Sequence, residues 1–281
     1  MVFHNISKEC YEWLNKQPNV KEESLTDWLL YQASIRDKRV FYKAFTRNEE
    51  SYNGADWEWW ILTKGHYGLS AYRLLIQAKK LKRYHNNYGA ITYGNKNGMQ
   101  IDLLISSAVN RQALPLYAYY TSSQPDINEQ LNNFSFIDQN IIRWCEACIN
   151  GVYLSPALSI RKNFIEQPTR KVSEEELINN SLGLSLLDLL FKENQEKDDE
   201  FLNCLENLNN HFSNWCRENT LANDYVYEHE IRGFKYSYKQ FPRYLKTIIE
   251  SQGRNIDRLE SEFHRDLEGL SGVAVIYAYI K

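Results

Sequence analysis

The stretch Ala71-Tyr-Arg-Leu-Leu-Ile-Gln-Ala-Lys-Lys-Leu81 is apolar through its centre and carries one amide and two adjacent cations toward its end. Leucine, isoleucine and an aromatic in so short a run read as a strand buried at its centre. Successive strand side chains point to opposite faces, so Gln77 and Lys79 project to the same side.

Immediately upstream, Lys64-Gly-His-Tyr-Gly68 is a turn, and Asp56-Trp-Glu-Trp-Trp-Ile-Leu-Thr63 reads as a neighbouring strand. Before it come the polar link Asn48 to Gly54 and a first strand, Val40-Phe-Tyr-Lys-Ala-Phe-Thr46. Leu25, Trp28, Leu29, Gln32 and Ile35 recur at helical spacing, which predicts a helix over Val20–Ile35 with Asn19 as its cap. Downstream, Asn95 to Gly98 is a loop. Met99 to Val109 is a helix with Ile101, Leu104, Ile105 and Ala108 on one face, and Pro115-Leu-Tyr-Ala-Tyr-Tyr120 is a fourth strand. Residues 20–121 thus run helix, three strands, helix, strand. Short turns favour antiparallel pairing of the first three strands, and a helical crossover favours a parallel fourth. This predicts an α+β or α/β fold built on a mixed sheet.

Residues 1–19 read as a helical lead-in and 122–281 as a mainly helical extension, with helices over Phe136–Asn150, Glu174–Cys216 and Ile256–Leu267. Gly272-Val-Ala-Val-Ile-Tyr-Ala-Tyr-Ile280 is a closing strand that could join the first sheet, which argues against two cleanly separated domains.

Of the 281 residues, 43% are hydrophobic and 25% charged, which excludes a mainly disordered chain. The longest apolar run, Ser181-Leu-Gly-Leu-Ser-Leu-Leu-Asp-Leu-Leu-Phe191, is too short to span a bilayer and contains Asp188. No basic segment followed by an apolar core opens the chain, so no secretory signal is expected. Five cysteines, at 10, 145, 148, 204 and 216, suit free thiols in a reducing cytoplasm; the Cys145–Cys148 spacing leaves half a zinc site or a redox pair as alternatives.

Charge is unevenly spread. Between Glu58 and Asp102 there is no acid, but there are Lys64, Arg73, Lys79, Lys80, Lys82, Arg83 and Lys96, interleaved with five tyrosines. Residues 173–209 hold ten acids against Lys192 and Lys197. Two solvated faces would explain this. So would a nucleic-acid-binding half gripping phosphate through Lys64, Lys80, Lys82, Arg83 and Lys96, beside an acidic half.

Asp56 opens the strand next to the one carrying Gln77 and Lys79, and Glu22 continues the apolar stripe of the first helix. A carboxylate, an amide oxygen and a backbone carbonyl are hard ligands suited to Mg²⁺ or Mn²⁺, and an adjacent ammonium can stabilise a phosphorane-like transition state. Such a set is equipped for metal-assisted phosphodiester hydrolysis. Glu22 could instead bond back to a helix cap, Asp56 could cap a turn, and Glu23 is an alternative acid. Glu50 could approach the same metal, Glu58 could share the face of Asp56, and Gln100 could orient a ligand. Trp57, Trp59 and Trp60 fit sheet core better than base stacking.

Gly54-Ala-Asp56 followed by Leu75-Ile-Gln-Ala-Lys79, in this order of elements, resembles the PD-(D/E)xK nuclease superfamily, in particular its variants with Gln in the third-strand motif. Gly54-Ala55 stands where that family has its proline, and Gln77 replaces the usual acid. The resemblance covers residues 20–121. It implies a restriction-endonuclease-like αβββαβ core, metal ligands at Asp56 and Gln77, a catalytic Lys79 and a supporting acid at Glu22 or Glu23. It further implies Mg²⁺ or Mn²⁺, DNA rather than RNA as substrate, a homodimer or a subunit of a bacterial or phage-related defence complex, and no membrane. An inactive nuclease-fold subunit and an unrelated α+β interaction protein are the competing readings.

Overall fold

The computed structural model describes residues 1–45, 54–65, 68–81, 94–95, 98–135, 137–165, 172–191, 203–208, 210–212, 214, 235–254, 256 and 258–278. Helices α1 (Val2–Lys16) and α2 (Glu22–Arg36) lead into β1 (Val40–Ala44), β2 (Trp57–Gly65) and β3 (Gly68–Lys80). A two-stranded pair, β4 (Gly94–Asn95) and β5 (Gly98–Met99), opens onto α3 (Gln100–Asn110), which crosses over to β6 (Leu114–Tyr120). The predicted hairpin and crossover are both present: β2 and β3 are antiparallel from Trp57↔Ile76 to Gly65↔Gly68, and β6 is parallel to β3.

The C-terminal region contributes more strand than the sequence predicts. After α4 (Ile127–Asn133) and α5 (Gln139–Glu146), β7 (Val152–Pro156) extends the sheet beyond β6. The short helices α6 (Ala157–Ile160) and α7 (Glu174–Asn179) precede β8 (Leu182–Gly183), the next strand outward. Leu184–Phe191 is a buried 3₁₀ segment rather than part of a long helix, and β9 (Lys235–Ser237) pairs with the start of β3. Only 203–208, 210–212 and 214 are helical further along the predicted Glu174–Cys216 helix, among the described residues. The chain continues through α8 (Arg243–Ser251), and the last predicted helix is two short ones, α9 (Leu259–Glu262) and α10 (His264–Leu267). Strands of two to five residues carry too little alternation to be distinguished from loops.

The final strand, β10 (Gly272–Tyr277), joins the sheet as the sequence allows, but at an unforeseen place. It is antiparallel to β1 and parallel to β2, so it separates two strands expected to be neighbours. The path is β1-β10-β2-β3-β6-β7-β8, an eight-stranded mixed sheet once β9 is counted. All six residues of β10 are buried whereas β1 grows exposed along its length, which suits an interior and an edge position respectively.

Helices cover both faces. On one, Gln100 of α3 meets Gln77 and Tyr244 of α8 meets Glu58. On the other, Tyr120 of β6 donates to Thr26 of α2 at 2.8 Å. Helix α1 is fastened at its start by Asp188, whose carboxylate accepts from the Phe3 and His4 N–H groups at 3.0 and 2.7 Å. Burial pushes the Asp188 carboxyl upward against those hydrogen bonds. Trp57, Trp59 and Trp60 lie in the core. No helix among the described residues is long and apolar enough to cross a membrane.

Glu58, fully buried on β2, binds the Arg73 guanidinium through 2.9 and 2.6 Å hydrogen bonds and accepts from Trp60 Nε1 at 2.6 Å and from the Tyr244 hydroxyl. Removing one partner leaves the other charge in the core. Arg73→Met is expected to destabilise by about 3 kcal/mol or more, with Glu58→Leu/Arg73→Met recovering most of the loss; urea unfolding of the three proteins measures this.

Candidate functional site

Gly54 has φ +69°, and a Cβ there would stand 2.5 Å from the Leu104 nitrogen and 2.6 Å from the Gln100 carbonyl. Glycine therefore lets the approach to β2 press against the first turns of α3. Asp56 follows at a junction of strands. Its N–H donates to the Ile76 carbonyl on β3 at 2.9 Å, and its carbonyl accepts from the Ser271 N–H, just before β10, at 2.6 Å.

The Asp56 carboxylate Oδ2 accepts from the Ala78 N–H at 2.9 Å and from Gln77 Nε2 at 2.5 Å. The same Gln77 nitrogen donates to the Ala78 carbonyl at 3.1 Å, while Gln77 Oε1 accepts from Gln100 Nε2 at 2.8 Å. Gln77 is only 2% exposed, and these contacts satisfy its amide on both sides.

Glu22 arrives from the opposite side. Its Oε2 accepts from the Lys80 N–H at 2.6 Å, and the Lys80 ammonium reaches back to the Pro18 and Val20 carbonyls at 2.9 and 2.6 Å. Lys80 thus clamps the start of α2 to the end of β3. Asn19 does not cap the helix; Lys21 stands at the cap position without a side-chain bond, so the capping role weighed for Glu22 is displaced by its bond to β3. Burial pushes the Glu22 carboxyl above its ordinary range, the Asp56 charge adds to the rise, and the Lys79 ammonium and Lys80 N–H oppose it. Glu22, Asp56 and Lys79 are therefore electrostatic neighbours. Glu22, Glu23, Asp56 and Ala78 are among the residues lining a cleft of ≈ 200 Å³.

The other expected residues fall elsewhere. Glu58 points into the Arg73 ion pair and away from the cleft, held by its salt bridge. Lys64 is exposed near the hairpin end of β2, eight residues from Asp56 and on the order of 25 Å along the strand, and so stands far from the cleft. Lys80 spends its ammonium on main-chain carbonyls, and Arg73 is buried. Glu50, Lys82, Arg83 and Lys96 lie outside the described residues. Burial pushes the Cys10 and Cys204 thiols up to about 12.

Tyr117, not singled out from the sequence, is the β6 partner of Gln77. Its hydroxyl is buried without a hydrogen-bond partner among the described residues, and burial with the nearby Asp102 and Asp56 charges pushes it upward. The Pro115–Tyr120 alternation signals its direction, because pairing in register sets it on the Gln77 face.

No group of three or more His, Cys, Asp and Glu able to hold a metal occurs among the described residues. The cleft is lined by the acids Glu22, Glu23, Asp27 and Asp56, and behind Asp56 the Gln77 amide bonds both its carboxylate and the Ala78 carbonyl. A model for a family of unknown function, DUF6615, matches residues 1–277. The chain belongs to this family. No curated protein and no solved structure matches it significantly. The DUF6615 match takes in both the cleft and β10, so the site and the strand that completes the sheet lie within one family unit.

Because the folded state raises the Glu22 pKa, ionisation opposes folding: stability falls as pH rises from the ordinary Glu value of 4.5 through the raised one. Glu22→Gln keeps an acceptor for the Lys80 N–H and removes the charge. It is expected to exceed wild type in thermal stability at pH 7 and to match it below pH ~4. Thermal unfolding across this range measures the difference, and a less stable variant at pH 7 contradicts the electrostatic account.

Proposed function

We propose that the protein is a metal-dependent nuclease that hydrolyses DNA phosphodiester bonds, with a restriction-endonuclease-like core in residues 20–121. The observation that carries this is the gathering of Asp56, Gln77, the Ala78 carbonyl, Glu22 and Lys79 at one end of adjacent strands. The helix, hairpin, crossover helix and parallel strand supporting them follow the order that the resemblance implies, apart from β10 between β1 and β2.

The residues present fit a hard divalent cation. The Asp56 carboxylate and the Ala78 carbonyl converge on one point, where the Gln77 NH₂ now donates to both. A donor in contact with two oxygens marks a position of negative potential. Asp56 and Ala78, joined by Gln77 Oε1 and by Glu22 directly or through water, would hold Mg²⁺ or Mn²⁺. Such an ion supplies Lewis-acid polarisation of the scissile phosphate.

The chain's own groups divide the remaining work. Lys79 brings an ammonium beside the carboxylates, suited to stabilising charge that develops on the phosphoryl oxygens or to orienting the attacking water. The Lys80 clamp fixes Glu22 against the end of β3. Phosphate grip falls to Lys79 with Lys82, Arg83 and Lys96, the last three outside the described residues. Action in a cytoplasmic defence setting is part of the proposal and rests on the resemblance alone.

The Gln77–Asp56 hydrogen bond also favours a second reading, a nuclease-fold subunit that binds nucleic acid or a protein partner without cutting, since a fixed amide at that point excludes the ion.

Cleavage of duplex DNA with Mg²⁺ or Mn²⁺, against a chelator control, separates the two. Wild type is expected to cut, Asp56→Asn and Lys79→Met to lose ~100-fold or more in rate with the fold intact, and Lys64→Ala to cut normally. DNA retention without metal-dependent cutting by wild type supports the second reading, and full activity in both site variants puts the chemistry elsewhere.

A further inference from the structure

Among the described residues, three buried polar atoms around Gln77 and Lys79 lack partners: Gln100 Oε1 and the hydroxyls of Tyr117 and Tyr119, the last being the β6 partner of Lys79 and stacked on Tyr117. Gln100 reaches Gln77 from α3, and Tyr117 is paired in register with Gln77 on β6. Gln100 Oε1 and the Tyr117 hydroxyl therefore belong to the layer between α3 and the sheet face that carries Gln77. Buried polar groups are ordinarily satisfied, so the unpaired oxygen at the end of the amide chain asks for a cause.

The polarity of that chain supplies one. Gln77 presents its NH₂ to Asp56 and to the Ala78 carbonyl and its oxygen to Gln100 Nε2, which leaves the Gln100 oxygen at the far end with nothing to accept. A glutamine amide can exchange its oxygen and nitrogen by a half-turn about its last torsion, which is broad and roughly two-fold. If both amides turn, Gln77 Oε1 faces the Asp56 carboxylate and the Ala78 carbonyl. Three oxygens facing one another repel unless a cation lies among them. Gln77 NH₂ then donates to Gln100 Oε1, the atom now unpaired.

We propose that Gln77 and Gln100 form a reversible amide relay, in which a divalent cation at Asp56 turns both amides and Gln100 is the positioning residue that holds Gln77 in its oxygen-inward orientation. This rests on the cation site proposed above and makes Gln77 a ligand only in the cation-bound state. It reconciles a donor in the site at rest with an oxygen ligand when loaded. No covalent step is involved.

Side-chain NH₂ resonances of Gln77 and Gln100 in the ¹⁵N-labelled full chain, followed during Mg²⁺ titration with affinity measured by calorimetry, provide the test. Both pairs of resonances are expected to shift together in wild type. In Gln77→Leu the Gln100 shift is expected to vanish while weakened Mg²⁺ binding persists. Mg²⁺ binding with stationary Gln100 resonances, or a Gln100 shift retained in Gln77→Leu, overturns the relay and leaves the cation site standing. An absence of Mg²⁺ and Mn²⁺ binding overturns both.

A second measurement covers misfolding of Gln77→Leu. Gln100→Glu can only accept from Gln77, so it favours the loaded orientation and is expected to tighten Mn²⁺ affinity about tenfold, in keeping with the effect of groups that orient metal ligands. The same substitution with Gln77→Asn, whose shorter amide cannot span to position 100, is expected to tighten it far less. Equal tightening in both backgrounds reduces the effect to added charge and overturns the relay.

Discussion

Asp56 is where the molecule is tied together. Its main chain bonds to β3 through Ile76 and to the start of β10 through Ser271, and its side chain bonds to Gln77 and Ala78. Three of these bonds run to β3 and one to the residue that enters β10, so β2, β3 and β10 are held at a common end. Gly54 makes this possible by letting the chain pass close to α3, where any Cβ would collide with backbone. The geometry of the cleft and the register of the sheet centre therefore have a shared origin.

Strand alternation puts Glu58 on the same face as Asp56, yet the two carboxylates have different fates. Glu58 meets Arg73, Trp60 and Tyr244 and becomes a fully paired core charge, while Asp56 lies at the strand end, where α2 and its Glu22 approach. Position along the strand decides which partners each carboxylate meets. A charge under α8 needs permanent partners, and one at the open end of the sheet can keep exchangeable ones.

Much of this was legible locally. The run from Ala71 to Leu81 announces a buried strand, its alternation sets Gln77 beside Lys79, and the Met99–Val109 periodicity forecasts the face of α3 that is buried. Partners in space were less legible. Lys80 looks like one more surface cation in the sequence, but its bonds to Pro18 and Val20 depend on how α2 docks. Lys64 and Arg73 are close in number and read from the sequence as one basic stretch. A hairpin carries one to the far end of the sheet and buries the other. The places of β7 and β10 could not be read because pairing between distant segments leaves no periodic mark.

The insertion of β10 between β1 and β2 has a consequence for how the chain reaches its native state. β1 and the edge of β2 that faces it cannot find their final partner until residues 272–277 are available. Sheet closure therefore spans more than 200 residues of sequence, a long-range pairing of the kind that slows folding. A nascent chain would carry its hairpin and α3 early but would leave β1 and β2 with unpaired edges until the last strand arrived. Since Ser271 also bonds Asp56, the cleft is completed only once residue 271 has joined the sheet.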